Sequence, residues 1–172
     1  MKYPRLLSTG ANNKVIALND EEVAKLFEAG SRSDLGSEAA KMQFANQVNG
    51  LVAKFIRLDY NENLQSEMLV MERIFPIDYR ALEVEKRLLF LEVFLDEIKQ
   101  LHDAGFVHRY IKRPSSISGQ PYDNILLTTQ GLRLIDVGIS ALRSQVSARI
   151  FDKYLEVEQA ELAEFAQYFL ER

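Results

Sequence analysis

Apolar positions between Leu6 and Leu18 fall in two short stretches separated by Ser8-Thr9-Gly10-Ala11-Asn12-Asn13, which predicts two strands and a turn. Val23–Phe27 reads as a third strand and Gly30–Gly36 as a loop. Ser37 stands where an N-cap belongs, ahead of a helix from Glu38 to Gln47 that Asn49-Gly50 stops. Val52–Leu58 and Glu67–Ile74 read as paired strands joined by a polar hairpin. Beyond Pro76 the period becomes helical. Leu88, Leu91, Leu95, Ile98 and Leu101 lie on one face of a helix over 80–101, and Gly105 is its C-cap. A loop rich in Ser, Pro and Gly follows, then the strands Ile125–Thr128 and Leu132–Ile135. A last helix, Val157–Leu170, is expected to bury Leu162, Phe165, Ala166, Phe169 and Leu170. The order predicts an α+β chain of two lobes: a five-stranded antiparallel sheet with one helix over 1–75, and a short, mostly helical lobe over 76–172.

Composition narrows the chemistry. The 172 residues are 47% hydrophobic and 27% charged, ordinary globular usage. A net charge of −4 gives no basis for non-specific nucleic-acid binding, which rests on Lys and Arg neutralising phosphates. With no cysteine, disulfide frameworks, thiolate zinc sites and a cysteine nucleophile are excluded. No apolar run reaches membrane-spanning length and the N-terminus lacks the apolar core of a secretory signal, so a cytoplasmic location is the expectation, with delivery as an effector left open.

Three motifs then stand in order: His108-Arg109-Tyr110 after a helix ending Leu101-His102, Asn124-Ile125-Leu126-Leu127, and Asp136-Val137-Gly138 after a hairpin. This series resembles the catalytic core of protein kinases, H-R-D-x-x-x-x-N followed by D-F-G. The resemblance covers about Leu6 to Gly138 and implies a two-lobed protein-kinase-like fold that binds ATP with Mg²⁺ or Mn²⁺ between the lobes. On that basis Asp136 and Asn124 hold the metal, as hard cations take oxygen ligands. Lys112 reaches the γ-phosphate. Lys25 grips the α- and β-phosphates, and Glu38 is its ion-pair partner at the edge of the cleft. Gly10, Asn13 and Val15 correspond to the phosphate loop, of whose glycines only the middle one remains. Val15, Val23 and Leu126 form the adenine slot. Met71 is the gatekeeper, and the backbone of Glu72 and Ile74 faces the purine.

The departures bear on function. Tyr110 replaces the aspartate that accepts the substrate proton, and a free phenol, with a pKa of about 10, is a poor base. The segment Ile111 to Asp123 is much longer than the pattern allows, and Asp123 is a possible substitute base. After Gly138 there is no room for the usual activation segment, and the last helix is expected to support the catalytic loop. The resemblance implies a phosphotransferase of reduced efficiency acting on Ser/Thr hydroxyls of a protein. A pseudokinase serving as a binding module and a small-molecule kinase are the alternatives. A protein substrate or regulatory partner, or a dimer mate, is the expected company.

Overall fold

The computed structural model describes residues 3–9, 13–27, 35–114 and 121–172. Five antiparallel strands form the first sheet: β1 (Arg5–Thr9), β2 (Asn13–Ala17), β3 (Glu22–Phe27), β4 (Phe55–Asn61) and β5 (Ser66–Glu72), in the order β1-β2-β3-β5-β4. Helix α1 (Leu35–Val48) connects β3 to β4 and buries Glu38, Ala39, Met42 and Ala45. Two differences from the sequence reading stand out here. The helix starts at Leu35, so Ser37 lies in its first turn rather than at its cap, and Leu35 itself packs on the main core. The fourth strand begins at Phe55 rather than Val52. Leu51, Val52 and Ala53 are buried and bond instead to the second lobe: the Ala53 N–H donates to the Leu134 carbonyl (3.0 Å) and the Leu134 N–H to the Leu51 carbonyl (2.9 Å).

A 3₁₀ turn (Tyr79–Ala81) follows the connection, with Asp78 capping it. Helix α2 (Val84–Ala104) then runs to Gly105, whose φ of 101° is the left-handed C-cap its position in the sequence predicts. The buried face of α2 is Leu91, Phe94, Ile98 and Leu101; Leu88, expected on that face, is 43% exposed. At 100° per residue Leu88 lies about 100° from the centre line of that buried face, which puts it on the flank. Two short ladders complete the lobe: β6 (Phe106–Val107) with β9 (Ala141–Leu142), and β7 (Ile125–Thr128) with β8 (Gly131–Leu134).

The last helix, α3 (Ala148–Glu171), is longer than the sequence reading. Ser147 caps it, its side chain accepting from the Ile150 N–H, and Phe151 adds a buried anchor in the first turn. Phe165 and Phe169 stack at 5.4 Å and meet Phe94, Tyr79 and Tyr122 in a ring cluster. Aromatic pairs of this kind add about 0.5–1.5 kcal/mol each beyond area burial. Arg87 of α2 donates to the Phe169 carbonyl (2.6 Å), which ties the end of α3 to the start of α2. The α3 helix thus lies under the loop that carries His108 to Lys112.

Candidate functional site

Lys25 points from the middle of β3, where its cross-strand neighbours are Val15 and Leu69. Its ammonium meets both oxygens of Glu38, at 3.0 and 3.1 Å, and Asp136 Oδ1 at 3.4 Å. The Lys25–Glu38 pair is buried, not at an exposed cleft edge: the two side chains are 11% and 3% exposed. Burial works against the Lys25 charge, but Asp136 and Glu38 outweigh it and raise the lysine pKa. One ammonium shared by two carboxylates compensates each only in part, and burial pushes the Glu38 carboxyl up.

Asp136 ends β8's excursion at φ 62°, a left-handed conformation that Asp tolerates better than most residues. Gly138 makes the close approach that follows. A Cβ placed there would sit 2.8 Å from Glu38 Oε1, so any larger residue must push the Glu38 carboxylate off its place beside Lys25. Lys41, one turn after Glu38, donates to the Gly138 carbonyl (3.3 Å) and adds a second contact between helix and turn.

The loop after β6 is held from beneath. Glu158 of α3 is 2% exposed. Its Oε2 accepts from the His108 N–H (3.1 Å) and lies 2.6 Å from His102 Nε2, and its Oε1 accepts from the Arg109 N–H (2.8 Å). Burial alone would raise this carboxyl, but the His102 hydrogen bond and the backbone donor outweigh it and hold it below the ordinary glutamate value. Arg109, at φ 72°, stacks its guanidinium 3.9 Å from the Tyr154 ring centre. His108 is fully buried. Its Nδ1 accepts from the Tyr110 N–H (3.1 Å) and its Nε2 donates to the Ile135 carbonyl (2.9 Å), so the ring bridges the loop to the strand leading to Asp136.

Asn124 donates from Nδ2 to the Tyr110 carbonyl (3.0 Å). Its carboxamide oxygen takes no hydrogen bond among the described residues. Asp123 turns elsewhere, into an ion pair with Arg113, and the Arg113 N–H donates to the Pro121 carbonyl (2.6 Å). Those two contacts close the base of the long segment between Tyr110 and Asn124. The Lys112 ammonium is held by Glu164 of α3 at 2.5 Å.

The fold therefore gathers Lys25, Glu38 and Asp136 in direct contact, and it places Asn124 on the Tyr110 backbone. It does not bring Lys112 or Asp123 into that group. Val15 and Leu126 are half-buried, and Val23 faces Met71 across β3 and β5. The Ile74 backbone takes no hydrogen bond among the described residues, which suits an edge that pairs with a purine. The Glu72 N–H is spent on the Lys54 carbonyl (2.9 Å), and its side chain is engaged by Arg133. Gly10 and the Asn13 side chain lie outside what the structure describes. A cavity of about 330 Å³ opens beside the slot, lined by Ile77, Asp78, Tyr79, Tyr122, Leu126 and Tyr168 among others; of the slot residues only Leu126 reaches it.

Three contributors escaped the sequence reading. Glu158 is one of six acids in the stretch 152–171, with no local sign that it turns inward. Lys41 and Glu164 likewise read as solvated helix residues.

The donor set is a test of the metal reading. Among the described residues no group of three or more His, Asp or Glu side chains is arranged to hold an ion. One carboxylate and one amide oxygen fit a Mg²⁺ that keeps several waters and takes its remaining ligands from phosphate, not a cation that needs an all-protein cage.

The chain has a protein-kinase-like fold. The solved structure of the kinase PK-1 of Cydia pomonella granulovirus matches it with a TM-score of 0.58 at 16% identity, over 80% of this chain and 51% of that one. The chain thus spans about half the length of that kinase. No family model and no curated protein matches it. Among the described residues no helix is long and apolar enough to cross a membrane.

Proposed function

We propose that this domain binds ATP with Mg²⁺ and transfers the terminal phosphoryl group slowly to a hydroxyl, with Ser or Thr of a protein as the first acceptor class to test. The observation that carries the reading is the Lys25 ammonium shared between Glu38 and Asp136. A buried lysine paired to two acids costs desolvation that a purely structural pair of apolar residues would avoid. Two carboxylates around one cation make sense where a polyphosphate and a metal complete the charge balance.

In this reading Lys25 binds the α- and β-phosphates, Glu38 orients it, and Asp136 and Asn124 offer the oxygen ligands. The cation, when bound, neutralises charge on the phosphoryl oxygens. The bond from the γ-phosphorus to the ADP oxygen breaks, a bond to the acceptor oxygen forms, and the hydroxyl proton passes to solvent or to the transferred phosphoryl group. Tyr110 supplies no efficient base, and Asp123 is engaged by Arg113. Loss of a general base is worth about 10²–10⁴-fold in rate.

A second reading is a nucleotide-binding module without transfer. Tyr110 and the Lys112–Glu164 pair favour it, since both remove parts of the transfer machinery. Two measurements separate the possibilities. ATP with Mg²⁺ at about 100 times its Kd adds about 2.7 kcal/mol to the folded state, several degrees in Tm for a chain this size. Absence of any shift at millimolar nucleotide overturns both readings. A shift without label transfer from γ-labelled ATP, to itself or to generic protein acceptors, leaves the binding module.

A further inference from the structure

The first sheet ends on β4, and among the described residues no strand lies beyond it. Its five central residues are all exposed, Ile56 at 38%, Leu58 at 45% and Tyr60 at 53%. A long apolar edge is a template for another strand, and proteins usually blunt it. The opposite edge is blunted: Pro4 precedes β1, and the β1 register slips between Leu6 and Ser8. The irregularity in β4 lies only at its start, between Phe55 and Arg57; Arg57 to Asn61 runs in regular register along β5.

We propose that β4 is a self-complementary interface on which a second copy of this chain pairs antiparallel, the two-fold axis passing between the two Leu58 residues. In that register Arg57 faces the partner's Asp59 twice, Leu58 faces Leu58, and Tyr60 faces Ile56. The charges select it. Centring the pair on Arg57 sets arginine against arginine, and centring it on Asp59 sets aspartate against aspartate; like charges directly opposite are destabilising. A slip of one residue sets Leu58 against a charged side chain and exchanges the faces.

The faces are fixed within the chain. Arg57 and Asp59 lie over Val70 and Met68, members of one small cluster, while Leu58 lies over Leu69 of the main core. Arg57 at present bridges Asp59 (3.3 Å) and Glu22 (2.9 Å). The Tyr60 N–H donates to Asp59 Oδ1 (2.8 Å), the local cap an edge amide takes when no strand adjoins it. Pairing gives Asp59 the facing Arg57 and frees the Tyr60 amide for the backbone of the facing strand. The paired tract is short, so the interface falls below about 1,200 Å² and the dimer is weak, with a Kd in the micromolar to millimolar range.

Sedimentation equilibrium of the full chain from about 10 μM to about 1 mM tests this. A monomer–dimer equilibrium is expected. Arg57→Asp and Asp59→Arg should each weaken it about tenfold, the double reversal should restore most of the loss, and Leu58→Glu should abolish it without rescue. Circular dichroism establishes that each variant is folded, as these exposed positions allow. A monomer at every concentration overturns the proposal. So does a dimer indifferent to all three single substitutions, or a double reversal that regains nothing.

Discussion

At the residue scale, the burial of Lys25 and Glu38 changes what a substitution there should do. Removing one partner of a buried pair costs about 3–5 kcal/mol because the other is stranded. Lys25→Met is expected to fall in that range, because it leaves the buried Glu38 carboxyl without its cation. The double change Lys25→Met, Glu38→Gln should regain most of that stability in a denaturant melt while nucleotide binding stays lost. If the double variant instead binds ATP as the parent does, Lys25 is not the phosphate anchor. Gly138 gives a second case. With a Cβ held 2.8 Å from Glu38 Oε1, Gly138→Ala must displace the Glu38 carboxylate from Lys25. The expected result is a nucleotide-dependent Tm shift reduced by at least half, with a smaller change in the melting of the free protein.

At the scale of elements, α3 does more than fill the second lobe, because Glu158 ties it to the loop beside the site. The carboxyl is held below its ordinary value of 4.5, so the sign follows. Its stabilising contribution is present in full above the unfolded value and is lost as pH falls through the lower folded one. Stability of the parent should therefore decline below about pH 4.5, and Glu158→Gln should be less stable near neutrality and flatter in that acid range. Chemical denaturation at a series of pH values measures both.

This helix also marks how far the sequence could be read. Its C-terminal half shows a clean apolar period, and Leu162, Phe165 and Phe169 are buried as expected. Its first turns carry Arg149, Asp152, Lys153 and Glu156, which hide the single anchor Phe151. The sheet and the presence of its one helix are legible because alternation and the Asn49-Gly50 stop are local, whereas the helix start is not: Ser37 lies inside its first turn. The start of β4 is not legible either, because Leu51 to Ala53 owe their burial to a strand some eighty positions away. For the site, motif order brought out Lys25, Glu38, Asn124 and Asp136. The partners that hold or divert those groups, Glu158, Lys41, Glu164 and Arg113, are chosen by the packing of distant segments and leave no spacing to read.

At the scale of the molecule, the backbone joins the lobes at two places among the described residues. The chain crosses once through Arg73 to Asp78, where the Ile77 N–H donates to the Leu127 carbonyl (2.7 Å). The second meeting is the short parallel bridge of Val52 with Leu134, flanked by the Ala53 and Leu134 amides. The two backbone joints define a line, so the halves resemble the covers of a book about a spine, with side-chain ties from Lys25 to Asp136, Lys41 to the Gly138 carbonyl and Asn49 to the Glu97 carbonyl holding the covers together. Motion about that spine stretches those side-chain ties, while parting along it breaks backbone bonds between buried residues. The Ala53 and Leu134 amides are then built-in gauges of that parting. Hydrogen exchange at both should proceed at one common, slow rate that ATP with Mg²⁺ slows further, whereas amides at the exposed tip of the β4–β5 hairpin should exchange fast and ignore the nucleotide. Unequal rates at the two gauges would mean that the spine opens from one end, like a zip.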